Sequence, residues 1–333
     1  MNRLAITKST IAAVIVVLLI VAIAAGYWYY STVTAPPKYP SKPIVIICPW
    51  AAGGGTDRIS RMVASLLEKE LGVPVSVENR VGGGGAVGHT AGATAPPDGY
   101  TLTIITWELS MLKWMGFANV TYIDFKPIAQ INFDPAAINV RADAPWNNVH
   151  ELLDYIRKHP GELTASGTAL GGVWDIARIG WLKTAGLDPN SVRWVPSTGA
   201  APALQEVVAG GIAITTCSLP EAKPLIDAGK VKCLAVMADE RNPAMPNIPT
   251  LNELGMKWSY GAWRGFAVPK GTPDYIVKIL EDALKKIYDS KEFKDFMNTN
   301  GFGMVWRGSS DFAKFLAEDY ESVGKLVKEA YGK

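Results

Sequence analysis

The chain has 333 residues, a formal net charge of +2, and neither a basic stripe nor an acidic tail. This length suits about two domains of ordinary size, and so small a charge argues against a nucleic-acid partner. The three cysteines, Cys48, Cys217 and Cys233, match no zinc spacing. Their odd, low number favours buried free thiols over one disulfide with a leftover thiol.

The first thirty residues differ in character from everything that follows. Arg3 and Lys8 precede an unbroken apolar run from Ile11 to Ala25, and an aromatic cluster follows at 27–30. A basic start before an apolar run is typical of a signal peptide. The aromatic cluster suits an uncleaved membrane anchor instead, since about 20 residues are enough to span. Both alternatives place the rest of the chain outside the cytoplasm, behind a proline-rich tether at 31–41.

The first strand, loop and helix lie between residues 42 and 71. The β-branched run 44–48 predicts a strand buried on both faces. Glycines at 53–55 allow a tight turn and a close approach of backbone to a ligand. Thr56 or Asp57 is expected to cap the following helix. The first amides of a helix lack intrahelical partners, so this turn is a candidate anion site, with an ordinary βα turn as the alternative.

Further along the chain, strands alternate with helices, which predicts parallel α/β sheets. Two apolar, β-rich stretches, 127–140 and 258–268, are long enough to pass between two domains. They predict a discontinuous lobe I, residues 40–138 plus 262–333, and a lobe II, residues 139–261. Two lobes with two crossings form a hinged clamp, whose ligand loops lie at the carboxyl ends of the strands.

Six segments, taken in order, resemble the extracytoplasmic solute receptors of the tripartite tricarboxylate transporter family. They are residues 39–44, 51–57, 77–80, 95–102, 199–204 and 268–273. The resemblance implies a type II periplasmic-binding-protein fold, no catalysis and no cofactor. It also implies capture of a small carboxylate for a membrane transporter with a large and a small subunit.

In that family, the first glycine loop and a serine/glycine loop of the second lobe hold carboxylates through backbone N–H groups and water. The resemblance therefore selects these candidates: Ala52, Gly53, Gly54, Gly55, Thr56 and Asp57 from lobe I, and Ser166, Gly167, Thr168, Ala169 and Thr198 from lobe II.

Several positions depart from the family pattern and bear on specificity. Cys217 stands where relatives often carry an aspartate. Trp107, Trp174 and Trp263 are candidates for a more aromatic pocket, with packing inside their own lobes as the alternative. For Glu108 and Arg264, solvated or structural roles are favoured over ligand contact.

Parts of the sequence are compatible with three other functions. Residues 83–88 fit a dinucleotide fingerprint, but they follow the second predicted strand rather than the first. A hydrolase needs a nucleophile and a base; His89 is expected near the cleft rim, while no serine sits in a nucleophile elbow. A membrane-tethered sensing lobe with the same fold stays open, because sequence does not separate it from a transport receptor.

Overall fold

The computed structural model describes residues 8–33 and 38–332, and contacts divide the chain into two units after Ser41. In the first unit, α1 (Lys8–Val33) is a 26-residue helix. Its apolar residues between Ile15 and Ile23 are exposed. Within the described ranges, no helix combines the length and the apolar character that crossing a membrane requires. Arg3 of the predicted basic start and the prolines at 36–37 of the tether lie outside the described residues.

The first sheet of the second unit has six strands in the order β11-β4-β10-β3-β1-β2. They are β1 (Ile44–Cys48), β2 (Val75–Asn79), β3 (Thr101–Thr106), β4 (Phe125–Pro135), β10 (Gly261–Pro269) and β11 (Met304–Gly308). β1 is parallel to β2 and β3, while β10 is antiparallel to β3 and β4, and β11 is antiparallel to β4.

The second sheet has five strands in the order β7-β6-β8-β5-β9. They are β5 (Ala137–Arg141), β6 (Thr164–Ser166), β7 (Arg193–Val195), β8 (Ile214–Thr215) and β9 (Val231–Val236). β6 is parallel to β7 and β8, whereas β5 is antiparallel to β8 and β9. The prediction of parallel sheets is confirmed for β1 with β2 and β3 and for β6 with β7 and β8, and it was wrong for the remaining pairs. The strands that join the two sheets, β4, β5 and β10, run antiparallel to their neighbours, and the alternation of strands and helices does not reveal that reversal.

Helices cover both sheets. They are α2 (Gly55–Leu71), α3 (Ala86–Ala93), α4 (Val149–Lys158), α5 (Val173–Thr184), α6 (Ala200–Ala209), α7 (Leu219–Asp227), α8 (Asp274–Asp289), α9 (Lys291–Asn300) and α10 (Ser309–Tyr331). The predicted inward face of α4 is confirmed, since Val149, Leu152, Leu153 and Ile156 are all buried. The Asn148 side chain accepts from the Glu151 amide and caps that helix.

The polypeptide crosses between the two sheets at neighbouring points. β4 and β5 are separated only by Ala136, yet they lie in different sheets, and β10 returns the chain to the first sheet. The end of α10 also reaches the second sheet's helices, because the Tyr331 hydroxyl donates to Asp175 on α5. The division into lobes at 138 and 262 stays a prediction.

Candidate functional site

A cavity of about 20 Å³ is enclosed where the two sheets face each other. This volume is enough for one or two water molecules. The first sheet and its connections contribute Gly54, Gly55, Thr56, Glu108 and Arg264, and the second contributes Thr168, Val173, Trp174 and Glu221. Two helix N-termini, those of α2 and α5, therefore meet at one small space.

The N-terminus of α2 lacks a capping side chain. Its N-cap is Gly54, with φ −72° and ψ 171°, and no side chain bonds the first turn. The expectation that Thr56 or Asp57 caps this helix was wrong. The Asp57 carboxylate instead turns back and accepts from the Gly53 amide at 2.9 Å. The amides of the first turn are thus left for another acceptor.

Asp57 holds the loop in place as an ionised group. Burial by itself raises the pKa of this carboxyl, but bonds from the Arg61 side chain, the Gly53 amide and the Asn79 side chain outweigh it and hold the pKa below its usual value. The Asn79 side-chain amide also donates to the Trp50 carbonyl at 2.9 Å. These hydrogen bonds therefore fix the first glycine loop from outside the cavity.

The N-terminus of α5 repeats this construction. Its N-cap is Gly172, with φ −72° and ψ 172°, and the Asp175 carboxylate accepts from the Gly171 amide at 2.9 Å. The sequence carries the shared signal, which is two glycines, any two residues and then an aspartate, at 53–57 and again at 171–175. That repeat was missed, and the predicted second-lobe candidates lie a few residues earlier.

Glycine is required where β6 meets α5. A Cβ on Gly167 would lie 2.6 Å from the Trp174 Cβ, a distance that real side chains do not reach. The missing side chain lets Thr168 and Trp174 both line the cavity. Gly167 therefore shapes the second wall without contributing a side chain to it.

Arg264 is the centre of a buried network beside the cavity. Its Nε donates to Thr56 at 2.8 Å, and its Nη1 donates to Asn132 at 2.6 Å and to Asp134. Its Nη2 donates to Glu221 at 3.0 Å. Burial raises the pKa of both Asp134 and Glu221, and the charge of Arg264 offsets part of that rise.

Glu108 lies in a short turn directly after β3 and is 2% exposed. Its Oε2 accepts from the Thr106 hydroxyl at 2.7 Å, and its Oε1 is 3.4 Å from the Thr168 hydroxyl of the facing wall. Burial raises the pKa of Glu108, while the Thr106 hydroxyl, the charge of Arg264 and the Val173 amide offset part of the rise. Of the two roles expected for Glu108 and Arg264, solvated or structural, the solvated one was wrong, because both side chains are buried in hydrogen-bond networks.

A larger pocket of about 320 Å³ also has Trp50 in its wall. It is lined by the second glycine loop, 82–85, and by Phe117, Ala169, Leu170 and Thr198. Gly84 has φ +66°, and a Cβ there would lie 2.9 Å from the Ala169 Cβ, so the two loops nearly touch. The Ala51 amide also donates across this gap, to the Thr198 carbonyl at 3.3 Å.

Other predicted binding residues lie off the small cavity. Ala52 and Gly53 are exposed, and the Ser166 hydroxyl donates to the Val195 carbonyl. Trp107 packs edge-on against Tyr260. Two further predicted residues, Trp263 and Cys217, are buried. The Trp263 side chain donates to Asp319. Of the three candidate tryptophans, Trp174 lines the cavity.

His89 is not at a cleft rim, as expected, but fully buried. Its Nδ1 lies 2.8 Å from the Gly85 carbonyl, and its Nε2 accepts from the Thr106 amide at 3.3 Å. Burial lowers the pKa of His89 to about 4, so the ring is neutral. The histidine joins the second glycine loop to the end of β3, two residues before Glu108.

The thiols and acidic side chains form neither a disulfide nor a metal-binding group in the described part of the chain. All three cysteines are free, with Cys233 half-buried, as the prediction of free thiols requires. Burial raises the pKa of Cys48 to about 11 and that of Cys233 to about 12. Among the described residues, no His, Cys, Asp and Glu side chains group closely enough to hold a metal ion.

The chain matches known proteins over most of its length. Residues 59–331 match the model of the tripartite tricarboxylate transporter family receptor. The chain is similar to a UPF0065 protein of Bordetella pertussis, with 32% identity over 297 residues, 87% of this chain and 90% of the relative.

Two solved structures are similar in fold and sequence. The periplasmic binding protein BugD has a TM-score of 0.82 and 28% identity, covering 88% of this chain and 98% of its own. MatC from Rhodopseudomonas palustris, solved with bound malate, has a TM-score of 0.80 and 28% identity, covering 87% of this chain and 100% of its own.

Proposed function

Because the chain belongs to the tripartite tricarboxylate transporter family of receptors, a family of solute-binding proteins and not of enzymes, we propose that it captures a small organic carboxylate outside the cytoplasm and delivers it to a membrane transporter. The observation that carries the proposal is the meeting of two uncapped helix N-termini, at Gly54 and Gly172, on one cavity. Amides and helix dipoles at such positions favour negative charge.

The ligand is proposed to enter by separation of the two walls. A space of about 20 Å³ is far smaller than the several hundred Å³ of a usual ligand pocket. The polar contacts across the gap include Ala51 with Thr198, Glu108 with Thr168, and Arg264 with Glu221. A hinge at the two chain crossings would open these contacts and admit a carboxylate between the helix N-termini.

The predicted binding residues divide into two groups under this proposal. Gly54, Gly55 and Thr56 would offer amides from one wall, and Thr168 and Trp174 would close the other. Hydrogen bonds to a charged group are worth roughly 1.5–3 kcal/mol each. Three or four of them support micromolar binding, about 8 kcal/mol. Ala169 and Thr198 would line the outer pocket, where a longer ligand could extend.

A ligand screen tests the carboxylate assignment. Thermal unfolding of the purified domain is measured with mono-, di- and tricarboxylates, aromatic acids included, and with neutral sugars and amines for comparison. We expect at least one acid to raise the melting temperature, and calorimetry then gives its affinity. Stabilisation by sugars or amines with none by acids would contradict the assignment.

Export and delivery need separate tests. The basic and apolar start of the chain supports export, and cell fractionation with N-terminal sequencing of the mature protein distinguishes a cleaved signal from a retained anchor. For delivery, uptake of the labelled acid found in the screen should be lost in a deletion strain. Normal uptake in that strain would favour the sensing role instead.

A further inference from the structure

We infer that Glu108 accepts a hydrogen bond from the bound solute, so that the ligand is a carboxylate that also carries a hydroxyl or ammonium group. This inference rests on the proposed carboxylate-binding function and names the substrate class for the same site. It follows from three features of the cavity wall: the orientation of the Glu108 carboxylate, the engagement of Arg264, and the ratio of acidic to basic groups.

The Glu108 carboxylate is held rigidly on one side and loosely on the other. The Trp50 Nε1–H donates to the Thr106 hydroxyl oxygen at 3.2 Å, so the Thr106 proton is left for Glu108 Oε2 at 2.7 Å. Oε1 has the Thr168 hydroxyl at 3.4 Å, a long contact for an O–H donor to a carboxylate. The Val173 amide also acts on this carboxylate, but a carboxylate has about four lone-pair sites, so Glu108 keeps acceptor capacity at the cavity wall.

Arg264 cannot supply a full positive charge to the ligand. Of its five N–H groups, Nε uses one, Nη1 uses two and Nη2 uses one, which leaves one of five. Its charge already faces two carboxylates, those of Asp134 and Glu221, whose side chains are 0% and 4% exposed. A ligand carboxylate would have to compete with both of these partners.

The part of the cavity wall around Arg264 is therefore rich in acceptors. One guanidinium serves three buried carboxylates, those of Asp134, Glu221 and Glu108. A second carboxylate on the ligand, placed against Glu108, would meet a like charge in a buried site, which is unfavourable. A hydroxyl there gains a hydrogen bond, and an ammonium gains a charge-assisted one.

The opposing possibility is that Glu108 is protonated in the complex and donates to a ligand carboxylate, as its raised pKa permits. The two arrangements differ in what a Glu108→Gln variant does. Glutamine keeps an acceptor oxygen and adds N–H donors without charge. The substitution should weaken binding of a ligand with an ammonium group and leave binding of a ligand with a hydroxyl group nearly unchanged. If Glu108 is protonated in the complex, glutamine would mimic it.

The experiment compares acids matched in chain length. Calorimetric affinities are measured at pH 7.5 for propionate, lactate and alanine, and for succinate, malate and aspartate, on wild type, Glu108→Gln and the exposed control Glu321→Gln. In wild type, we expect the hydroxyl- and ammonium-bearing acids of at least one series to bind about tenfold or more tightly than the unsubstituted acid. Glu108→Gln should lose about tenfold or more toward the ammonium acid and about threefold or less toward the hydroxyl acid. Glu321→Gln should match wild type.

Several results would overturn the inference. They are equal binding of substituted and unsubstituted acids by wild type, binding confined to acids without a donor, or an unchanged ammonium preference in Glu108→Gln. Uptake of a proton when an unsubstituted acid binds wild type, absent when it binds that variant, would show a protonated glutamate. Even if the variant does not fold, the comparison of substituted with unsubstituted acids on wild type still tests the inference. Failure of the proposed function is distinct, since then no acid of any class binds.

Discussion

Arg264 on β10 and Glu221 on α7 form a buried ion pair at 3.0 Å that joins the two walls of the cavity. Arg264 belongs to the first sheet and Glu221 to a helix on the second, so the pair closes the gap in which a ligand is proposed to bind. Both side chains are less than 5% exposed.

Removal of the guanidinium should destabilise the protein strongly. Arg264→Met leaves the carboxylates of Asp134 and Glu221 buried without a partner, and we expect a loss of about 3–5 kcal/mol in the free energy of unfolding. Lys278→Met is the control, because its ion pair with Asp282 is exposed to solvent and should contribute little to stability. Urea unfolding measures both, and equal small losses would contradict the role of Arg264.

A side chain at Gly55 should disturb the closed site. A Cβ there would lie 2.9 Å from Glu221 Cγ and Oε1 and 3.1 Å from Arg264 Nη2. We expect Gly55→Ala to weaken binding of the acid found in the screen by about tenfold, or 1.4 kcal/mol.

Gly54→Ala is the matched control for that variant. The nearest atom to its new Cβ is the Ala51 carbonyl oxygen at 3.5 Å, an ordinary contact, and its φ of −72° suits alanine. We expect affinity within about threefold of wild type. If calorimetry finds both alanines equally harmful, the steric explanation for Gly55 fails.

Acid should destabilise the protein through His89. The pKa of His89 falls from its usual 6.5 to about 4 on folding, so the unfolded chain binds the proton more readily. Stability is therefore full above pH 6.5 and lost as the pH falls toward 4, by about 3 kcal/mol. Urea unfolding of His89→Gln from pH 7 to 4 should show a shallower acid loss than wild type, on a lower starting stability. A parallel loss in both proteins would assign the acid sensitivity elsewhere.

Asp319 should have the opposite effect on the pH dependence of stability. Burial raises the pKa of Asp319 to about 6, although Ser110 and Trp263 donate to it. The folded state then holds the proton longer than the unfolded state. Stability is greatest below the unfolded pKa of 3.8 and falls as the pH rises to 6.

Replacing Asp319 with Asn should remove that cost. We expect a gain of about 1–3 kcal/mol at pH 7.5, shrinking toward zero at pH 4. Asp311→Asn, at an exposed side chain, is the control and should change little at either pH. A gain that does not depend on pH would show that ionisation of Asp319 is not its source.

The sequence alone determined the strands, the helices and the resemblance to a receptor family. Strand 44–48, helix 149–158 and the glycine loops follow from apolar spacing, caps and turn residues, which act between neighbours along the chain. The tertiary structure decided which groups meet. Glu108, Glu221 and Arg264 are far apart in sequence, and a charged side chain is by default solvated.

Partners from three separate segments keep these three charges buried, and no local pattern encodes such long-range pairing. The same reason explains His89, whose burial depends on Gly85 and on Thr106 at the end of a neighbouring strand. It also explains strand direction, which depends on the end at which β10 enters its sheet. Local spacing sets which segments form, while the folded arrangement sets which charges a ligand meets.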